Sequence, residues 1–159
     1  YETVASDDVV VVAAAEEGIF TAYHALLEPG DHVVVETPCY ESALQIALSA
    51  GAEVTPWRRS ASDGWAYDLD AFEQALRPET RLVYVNTPHN PTGSLMSRAV
   101  LERIVELCAA RGAWQFPGGH GAGKARLPEG RVGQVFLSTA SAADSRSEWR
   151  RASHKRRHS

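Results

Sequence analysis

Residues 81–93 read RLVYVNTPHNPTG and join a run of strand-forming residues to a turn that contains two prolines. Leu, Val and Tyr are typical of a buried strand. Pro88 and Pro91 fix φ and remove backbone donors, and Asn-Pro and Pro-Thr-Gly are strong turn signals. Because X–Pro bonds adopt the cis form at small cost, we expect one of these two bonds to be cis. The stretch predicts a buried strand followed by a rigid turn that holds a group in place.

The rest of the first 114 residues alternates between short apolar runs and longer segments with helical spacing. The predicted strands cover residues 9–12, 33–35, 53–57 and 81–85, and the predicted helices cover residues 19–27, 41–50, 69–76 and 98–111. Ser97 is placed to cap the last helix, and Asp68 or Asp70 the third. Strands that alternate with helices of this length are typical of an α/β fold, so we expect a mainly parallel sheet flanked by helices.

Three turns lie at the carboxyl ends of predicted strands, namely residues 13–18, 36–40 and 86–93. In open parallel sheets, ligands bind outside the carboxyl ends of the strands. We therefore expect these turns to contribute to a binding site.

Charge divides the chain near Trp114. The 159 residues carry a net charge of −4. Residues 1–114 hold 7 Arg, no Lys and 17 Asp or Glu, a net charge of −10, whereas residues 115–159 hold 9 Lys or Arg and 3 Asp or Glu, a net charge of +6. We therefore predict a domain over residues 1–114 and an atypical basic tail over 115–159. The Ser/Arg-rich end of this tail predicts disorder, and the abrupt change suggests a shifted reading frame or a misjoined gene end after Trp114.

Composition argues against several other classes of protein. No apolar run approaches the roughly 18 residues that a membrane span needs. The sequence opens on Tyr1 without a signal-like segment, so we expect a cytoplasmic protein or a piece of one. Cys39 and Cys108 lack the spacing of a metal or redox motif, so we expect packing thiols and no metal site. We predict neither a membrane nor a nucleic-acid partner.

Three segments together resemble a known family. NTPHNPTG (86–93) resembles the signature that follows a central strand in fold-type I pyridoxal-phosphate enzymes, the class I/II aminotransferases. AAAEEGIF (13–20) resembles the turn that binds the cofactor phosphate, and ETPCYESA (36–43) resembles the segment whose aromatic residue stacks on the pyridine ring. The resemblance covers about residues 1–114 and implies part of the large, cofactor-binding domain of such an enzyme.

The resemblance also implies a reaction. It implies pyridoxal 5′-phosphate as cofactor, amino-group transfer between an amino acid and a 2-oxo acid, and a homodimer in the full-length family. Other fold-type I chemistries, those of an amino-acid cyclising synthase or a β-lyase, use the same three motifs and stay open as alternatives.

Four residues receive cofactor-binding roles from the resemblance. Ala15 and Glu16 would bind the phosphate through their amides at a helix start, where the dipole favours an anion, although the family has glycine or serine beside this position. Tyr40 would stack on the ring. Asn90 would donate a hydrogen bond to the phenolic oxygen, and an amide suits this role because it donates without titrating. The residues alone also allow an ordinary helix start and a surface aromatic, and we expect a structural role for His89.

Two catalytic groups of the family are missing from the matching region. The reaction needs a lysine that holds the cofactor covalently and an acid that pairs with the pyridine nitrogen. The only lysines are Lys124 and Lys155. The segment around Lys124 resembles the family's lysine segment with altered spacing, so a covalent role for Lys124 stays open. After the helix over 98–111 the family has a pattern like S-D-E-x-Y, where this chain reads AWQFPGGH.

We therefore assign no catalytic residue. We expect a chain that is truncated at both ends and inactive by itself. The rival interpretation is a non-catalytic fragment with a basic tail.

Overall fold

The computed structural model describes residues 10–118 and the backbone of residues 125–126 and 132–133, and it describes side chains over residues 10–115. The predicted disorder at the end of the basic tail, and both lysines, lie outside the described residues. Within the described part of the chain, no helix combines the length and the apolar character that crossing a membrane requires.

A parallel sheet of four strands forms the centre of the described region. The strands, in chain order, are β1 (His32–Thr37), β2 (Glu53–Arg58), β3 (Thr80–Asn86) and β4 (Trp114–Gly118). They lie in the order β2-β1-β3-β4, and each neighbouring pair is parallel. Two short antiparallel strands, β5 (Ala125–Arg126) and β6 (Val132–Gly133), form a second sheet. The predicted α/β fold with a mainly parallel sheet is confirmed.

Helices connect the strands. They are α1 (Ala15–Leu26), α2 (Glu41–Ser49), α3 (Leu69–Ala75) and α4 (Arg98–Ala110), with a 3₁₀ turn at Ala61–Asp63. α1 begins before its predicted start because the alanines and glutamates ahead of it are strong helix formers. Both predicted caps form: Asp68 Oδ1 accepts from the Ala71 N–H at 2.9 Å, and Ser97 Oγ accepts from the Val100 N–H at 3.3 Å.

Both faces of the sheet are covered, because successive strand residues point to opposite sides. Val33 and Val35 pack with apolar residues of α1 and α2 in one core cluster. Val34, between them, packs with residues of α3 and α4 in a second cluster. All three valines are fully buried, which explains why this strand reads as a continuous apolar run rather than an alternating one.

The strand predicted over residues 9–12 is wrong over residues 10–12, which are irregular. Val10 and Val11 are 71% and 90% exposed. β-branched residues favour a strand only where a neighbouring strand offers pairing and burial, and the described sheet has β2 and β4 at its edges rather than this segment.

β4 forms where the sequence predicts no strand. Pro117 and Gly118 give this segment the composition of a turn, but its residues pair with β3 in parallel from Leu82 to Asn86. The strand lies at the edge of the sheet, where a missing proline N–H is tolerated. The sheet therefore continues past Trp114, the position at which the charge of the chain changes.

Candidate functional site

A cleft of about 320 Å³ opens where β1 and β3 end, beside the N-terminus of α1. Its lining comes from the start of α1, the start of α2, the end of β3 and the turn after β3: Ala14, Ala15, Glu16, Ile19, Tyr40, Ser42, Tyr84, Asn86, Pro88 and Asn90. The four residues to which the sequence analysis gives binding roles are all in this set. They meet because β1 and β3 are parallel neighbours, so the segments after them leave the same edge of the sheet.

The N-terminus of α1 forms one wall. Ala14 is the N-cap residue, with an extended backbone and no side-chain cap, so amides of the first turn lack the partner that a capping side chain would supply. Such a helix end attracts anions. Glu17 does not line the cleft, and its Oε2 accepts a hydrogen bond from the Ala13 N–H at 2.6 Å. Glu16 lines the cleft itself, and its negative charge opposes an anion there.

Tyr40 forms a second wall. It is the N-cap residue of α2, its side chain is 60% exposed, and it borders the cleft. The peptide bond between Thr37 and Pro38, just before it, is cis. An aromatic ring that is both exposed and part of a cleft is suited to stack on a planar ligand.

The turn over residues 87–93 carries Asn90 to the third wall. Both X–Pro bonds of this turn are cis, where the sequence analysis expected one. The Gly93 N–H donates to the His89 carbonyl at 2.6 Å, and the His89 N–H donates to the Ser94 carbonyl at 2.8 Å. Gly93 has a φ of +71°, which favours glycine. Asn90 is exposed, yet it lines the cleft.

Three polar residues of the cleft were not identified from the sequence. Asn86 is 6% exposed, and its Oδ1 has no hydrogen-bond partner among the described residues; the same holds for the buried Oγ of Ser42. An orphaned buried polar atom costs about 1–3 kcal/mol, which a bound ligand would offset. Burial raises the pKa of Tyr84 to about 12, so its hydroxyl stays protonated. A polar residue at the end of a buried strand could have indicated Asn86, whereas no sequence signal marks the other two.

A buried ion pair lies behind the turn. Arg59, which follows β2, places Nη1 2.7 Å from Oε1 of Glu36 in β1, and both side chains are 0% exposed. The second carboxylate oxygen accepts a hydrogen bond from the Asn86 N–H at 2.9 Å. His89 Nε2 lies 3.5 Å from Glu36 Oε1. This pair is not predicted from the sequence, since an acid in a strand and an arginine 23 residues later carry no local signal.

Burial governs the protonation of this cluster. Burial raises the pKa of Glu36, while hydrogen bonds from the Asn86 N–H and from Arg59 oppose the rise. Burial and the Arg59 guanidinium lower the pKa of His89, and the Pro38 carbonyl acts in the opposite direction. A neutral His89 suits its hydrogen bond with Thr92 Oγ1, which is 2.7 Å from Nδ1, and is consistent with a structural role.

The described part of the cleft lacks a group that could hold an aldehyde covalently. No Lys occurs over residues 10–118, and burial raises the pKa of the Cys39 thiol. β4 reads WQFPG, so the strand after α4 carries no acid. Over the same described residues, no group of three or more His, Cys, Asp or Glu side chains could hold a metal ion. The uncapped start of α1 and the exposed Tyr40 ring suit a planar ligand that carries an anionic group.

The fold and the cleft define a member of a family. Residues 1–116 match the family described as aminotransferase class I and II. The chain belongs to this family, and the predicted resemblance is confirmed.

Individual relatives match the same region. An arginine–pyruvate transaminase of Pseudomonas aeruginosa is 32% identical over 115 residues, which cover 72% of this chain and 29% of that protein. A probable N-succinyldiaminopimelate aminotransferase of Mycobacterium tuberculosis is 38% identical over 104 residues, 65% of this chain and 26% of that protein. The solved structure of a PLP-dependent aminotransferase from Streptococcus suis superposes with a TM-score of 0.70 at 34% identity, over 74% of this chain and 31% of that one. The chain thus spans less than a third of the length of these relatives.

Proposed function

We propose that the cleft binds pyridoxal 5′-phosphate and that the protein belongs, by ancestry, to enzymes that transfer an amino group between an amino acid and a 2-oxo acid. One observation carries the proposal: an uncapped helix start, an exposed aromatic ring and a turn-held amide line the same cleft in a chain that matches the aminotransferase family. Relatives named as transaminase and aminotransferase support amino-group transfer, while a capreomycidine synthase of Streptomyces vinaceus, 40% identical over 101 residues, keeps synthase chemistry as the second candidate.

Each wall of the cleft has a separate binding role. The amides of Ala15 and Glu16 bind the phosphate, because the positive end of the helix dipole and unpaired N–H groups lie there. The ring of Tyr40 stacks on the pyridine ring and keeps water from that face. The amide of Asn90 donates to the phenolic oxygen and favours its ionised form.

The orphaned polar atoms support the fit. Asn86 Oδ1 and Ser42 Oγ are buried without partners in the part of the chain that the structure describes, and a ligand with hydrogen-bonding groups would satisfy them. When bound, the cofactor supplies an electron-withdrawing ring to the reaction. The residues of this chain bind and orient that ring and exclude water from it.

We further propose that the chain alone does not catalyse transfer. No lysine lies in the family-matched region, residues 1–116, and β4 offers no acid to the pyridine nitrogen. Reduction of a stoichiometric cofactor mixture with borohydride, followed by peptide mapping, should give no defined adduct. An adduct at Lys124 accompanied by measurable amino-group transfer would overturn this proposal. The expected homodimer stays a prediction that the resemblance alone supports, and the cytoplasmic location stays a prediction from the absence of a signal-like segment.

The division at Trp114 is also a proposal. Residues 1–114 would form the partial cofactor-binding domain and residues 115–159 an atypical tail, of which, among the described residues, only the part paired in β4, up to Gly118, joins the four-stranded sheet; the family match ends at residue 116 in support. Reading the gene in all three frames around codon 114 tests this. An intact frame whose tail is shared by close relatives would refute the shifted-frame explanation.

Binding is tested with pyridoxine 5′-phosphate, which lacks the aldehyde and cannot react with lysines. We expect fluorescence titration to show weaker binding by about tenfold or more for Asn90→Ala, since a hydrogen bond to a charged group is lost, and by about threefold to tenfold for Tyr40→Leu. Phe20→Leu is the matched control, because Phe20 is a 52% exposed aromatic outside the cleft. Equal losses for Phe20→Leu and Tyr40→Leu, or no binding by the unaltered chain, would contradict the proposed site.

A further inference from the structure

We propose that Glu36 is a positioning residue that orients the Asn90 turn toward the cleft; this inference rests on the proposed function of the cleft. Glu36 lies at the carboxyl end of β1 and is fully buried. It does not line the cleft. Any effect on a ligand must therefore pass through the groups that its carboxylate holds.

The carboxylate holds three segments together. Oε2 accepts the Asn86 N–H at 2.9 Å and so fixes the last residue of β3, directly before the turn. Oε1 accepts from Arg59 Nη1 at 2.7 Å and so fixes the segment after β2. Parallel strands have no hairpin to align their ends. The Glu36 carboxylate therefore aligns the carboxyl ends of β1, β2 and β3 at the edge of the sheet where the cleft opens.

Arg59 carries the connection into the turn. Its Nη2 donates to Ser94 Oγ at 2.9 Å, Ser94 Oγ lies 2.9 Å from Thr92 Oγ1, and Thr92 Oγ1 lies 2.7 Å from His89 Nδ1. The residues on both sides of Asn90 are thereby tied to the same ion pair. A further donor of the guanidinium is used as well, since its Nε donates to the Trp65 carbonyl at 3.0 Å.

The guanidinium itself is held in one place. Its central carbon lies 3.7 Å from the ring centre of Tyr67, a cation–π contact. A guanidinium with a carboxylate, a carbonyl, a hydroxyl and a ring around it has a single orientation, and so does the carboxylate bound to it.

Stability alone is a poor explanation for this arrangement. Taking two charges out of water costs as much as their attraction returns, and well-packed apolar residues would often stabilise a core better. The pair lies under the turn that carries Asn90 and not elsewhere in the core, which points to a role in geometry. A donor misplaced by about 1 Å can cost two orders of magnitude in a reaction.

Glu36→Gln tests the proposal, with pyridoxine 5′-phosphate and inorganic phosphate as probes. We expect pyridoxine 5′-phosphate to bind about tenfold more weakly, equivalent to about 1.4 kcal/mol, while inorganic phosphate, which needs only the start of α1, changes by less than about twofold. If Glu36 acts through Asn90, its substitution should have no further effect in an Asn90→Ala background. A Glu36→Gln effect that persists in that background, or no effect at all, would overturn the proposal.

Amide exchange of residues 87–94 supplies a readout that needs no ligand. We expect Glu36→Gln to reduce protection in this turn more than elsewhere in the sheet. If the unaltered chain fails to bind pyridoxine 5′-phosphate, the proposed function fails, and the exchange result still decides whether Glu36 holds the turn. Unchanged protection in the turn would refute the inference on its own.

His32→Gln is the matched control, because His32 is an equally buried polar residue at the opposite end of β1. It should leave both the turn and the affinity unchanged. Equal effects of the two substitutions would refute a positioning role. If Glu36→Gln fails to fold because Arg59 is left unpaired, the double variant Glu36→Gln with Arg59→Gln removes both charges and is read in the same assays.

Discussion

The two ends of the same three strands carry buried polar clusters that differ in what they leave unsatisfied. At the amino end, His32 of β1 hydrogen-bonds through Nδ1 to Thr80 Oγ1 of β3 and through Nε2 to Thr55 Oγ1 of β2, each at 2.8 Å. Both ring nitrogens are therefore paired. The cluster contains no buried ion pair and ties the strands together.

At the carboxyl end, the corresponding cluster is charged. Glu36 and Arg59 form a buried ion pair, and Asn86 Oδ1 nearby is buried without a hydrogen-bond partner among the described residues. Local arrangements that lower stability concentrate at functional sites. The difference teaches that the amino end is built for stability, whereas the carboxyl end accepts a cost in stability to shape a cleft.

The largest expected change in stability comes from breaking the buried ion pair at the carboxyl end. Arg59→Met leaves Glu36 buried and unpaired, so we expect the free energy of unfolding to fall by about 3–5 kcal/mol, measured by urea denaturation. The double variant with Glu36→Gln should regain most of this loss, because no buried charge remains.

Arg77→Met is the control for removing an arginine from an ion pair. Arg77 lies 2.9 Å from Glu53, but their side chains are 43% and 67% exposed, so the loss should stay below about 1 kcal/mol. If Arg59→Met cost no more than Arg77→Met, the contrast between the two ends would be mistaken.

The sequence predicts most of the fold because its signals are local. The fully buried strand Val33–Val35 is visible as a β-branched run, and Ser97 and Asp68 mark helix starts through chemistry that acts within one turn. β4 is not visible, since Pro117 and Gly118 resemble a turn and only pairing with β3 makes them a strand.

The site is predicted in part, for the same reason. Asn90 and Tyr40 stand in recognisable motifs, and parallel topology places the segments after β1 and β3 at one edge of the sheet. Glu36 sits in the strand HVVVET and has the appearance of an exposed acid until its partner is known. That partner, Arg59, is brought to it by the parallel pairing of β1 and β2, which a single sequence does not display.

The expected effect of intermediate size is the pH dependence of stability, and it separates the contribution of the amino end of the sheet from that of the carboxyl end. Burial, and then Arg77, lower the pKa of His32 from 6.5, while Glu79 and Glu53 oppose the shift. The unfolded chain therefore binds more protons at acid pH, and stability from this residue is present above about pH 6.5 and lost as pH falls toward the lowered pKa.

Urea midpoints between pH 8 and pH 5 measure this effect. We expect the urea midpoint of His32→Gln to fall less between pH 8 and pH 5 than that of the unaltered chain. Part of the fall that remains comes from His89, whose pKa is lowered as well. A decline as steep in His32→Gln as in the unaltered chain would show that acid sensitivity does not arise at the amino end.

The smallest expected effect sharpens the comparison at the cleft itself. Glu16 lies in the first turn of α1, where its charge favours the helix but opposes a bound anion. Glu16→Gln should therefore tighten the binding of inorganic phosphate by about two- to fivefold while slightly lowering the thermal midpoint. Glu41→Gln, in the first turn of α2 and outside the cleft, should lower the midpoint similarly and leave phosphate binding unchanged. If only Glu16→Gln tightens phosphate binding while it lowers the thermal midpoint, ligand binding and stability oppose each other at the carboxyl end of the sheet. If Glu16→Gln and Glu41→Gln have the same effects on phosphate binding and on the midpoint, α1 is an ordinary helix start.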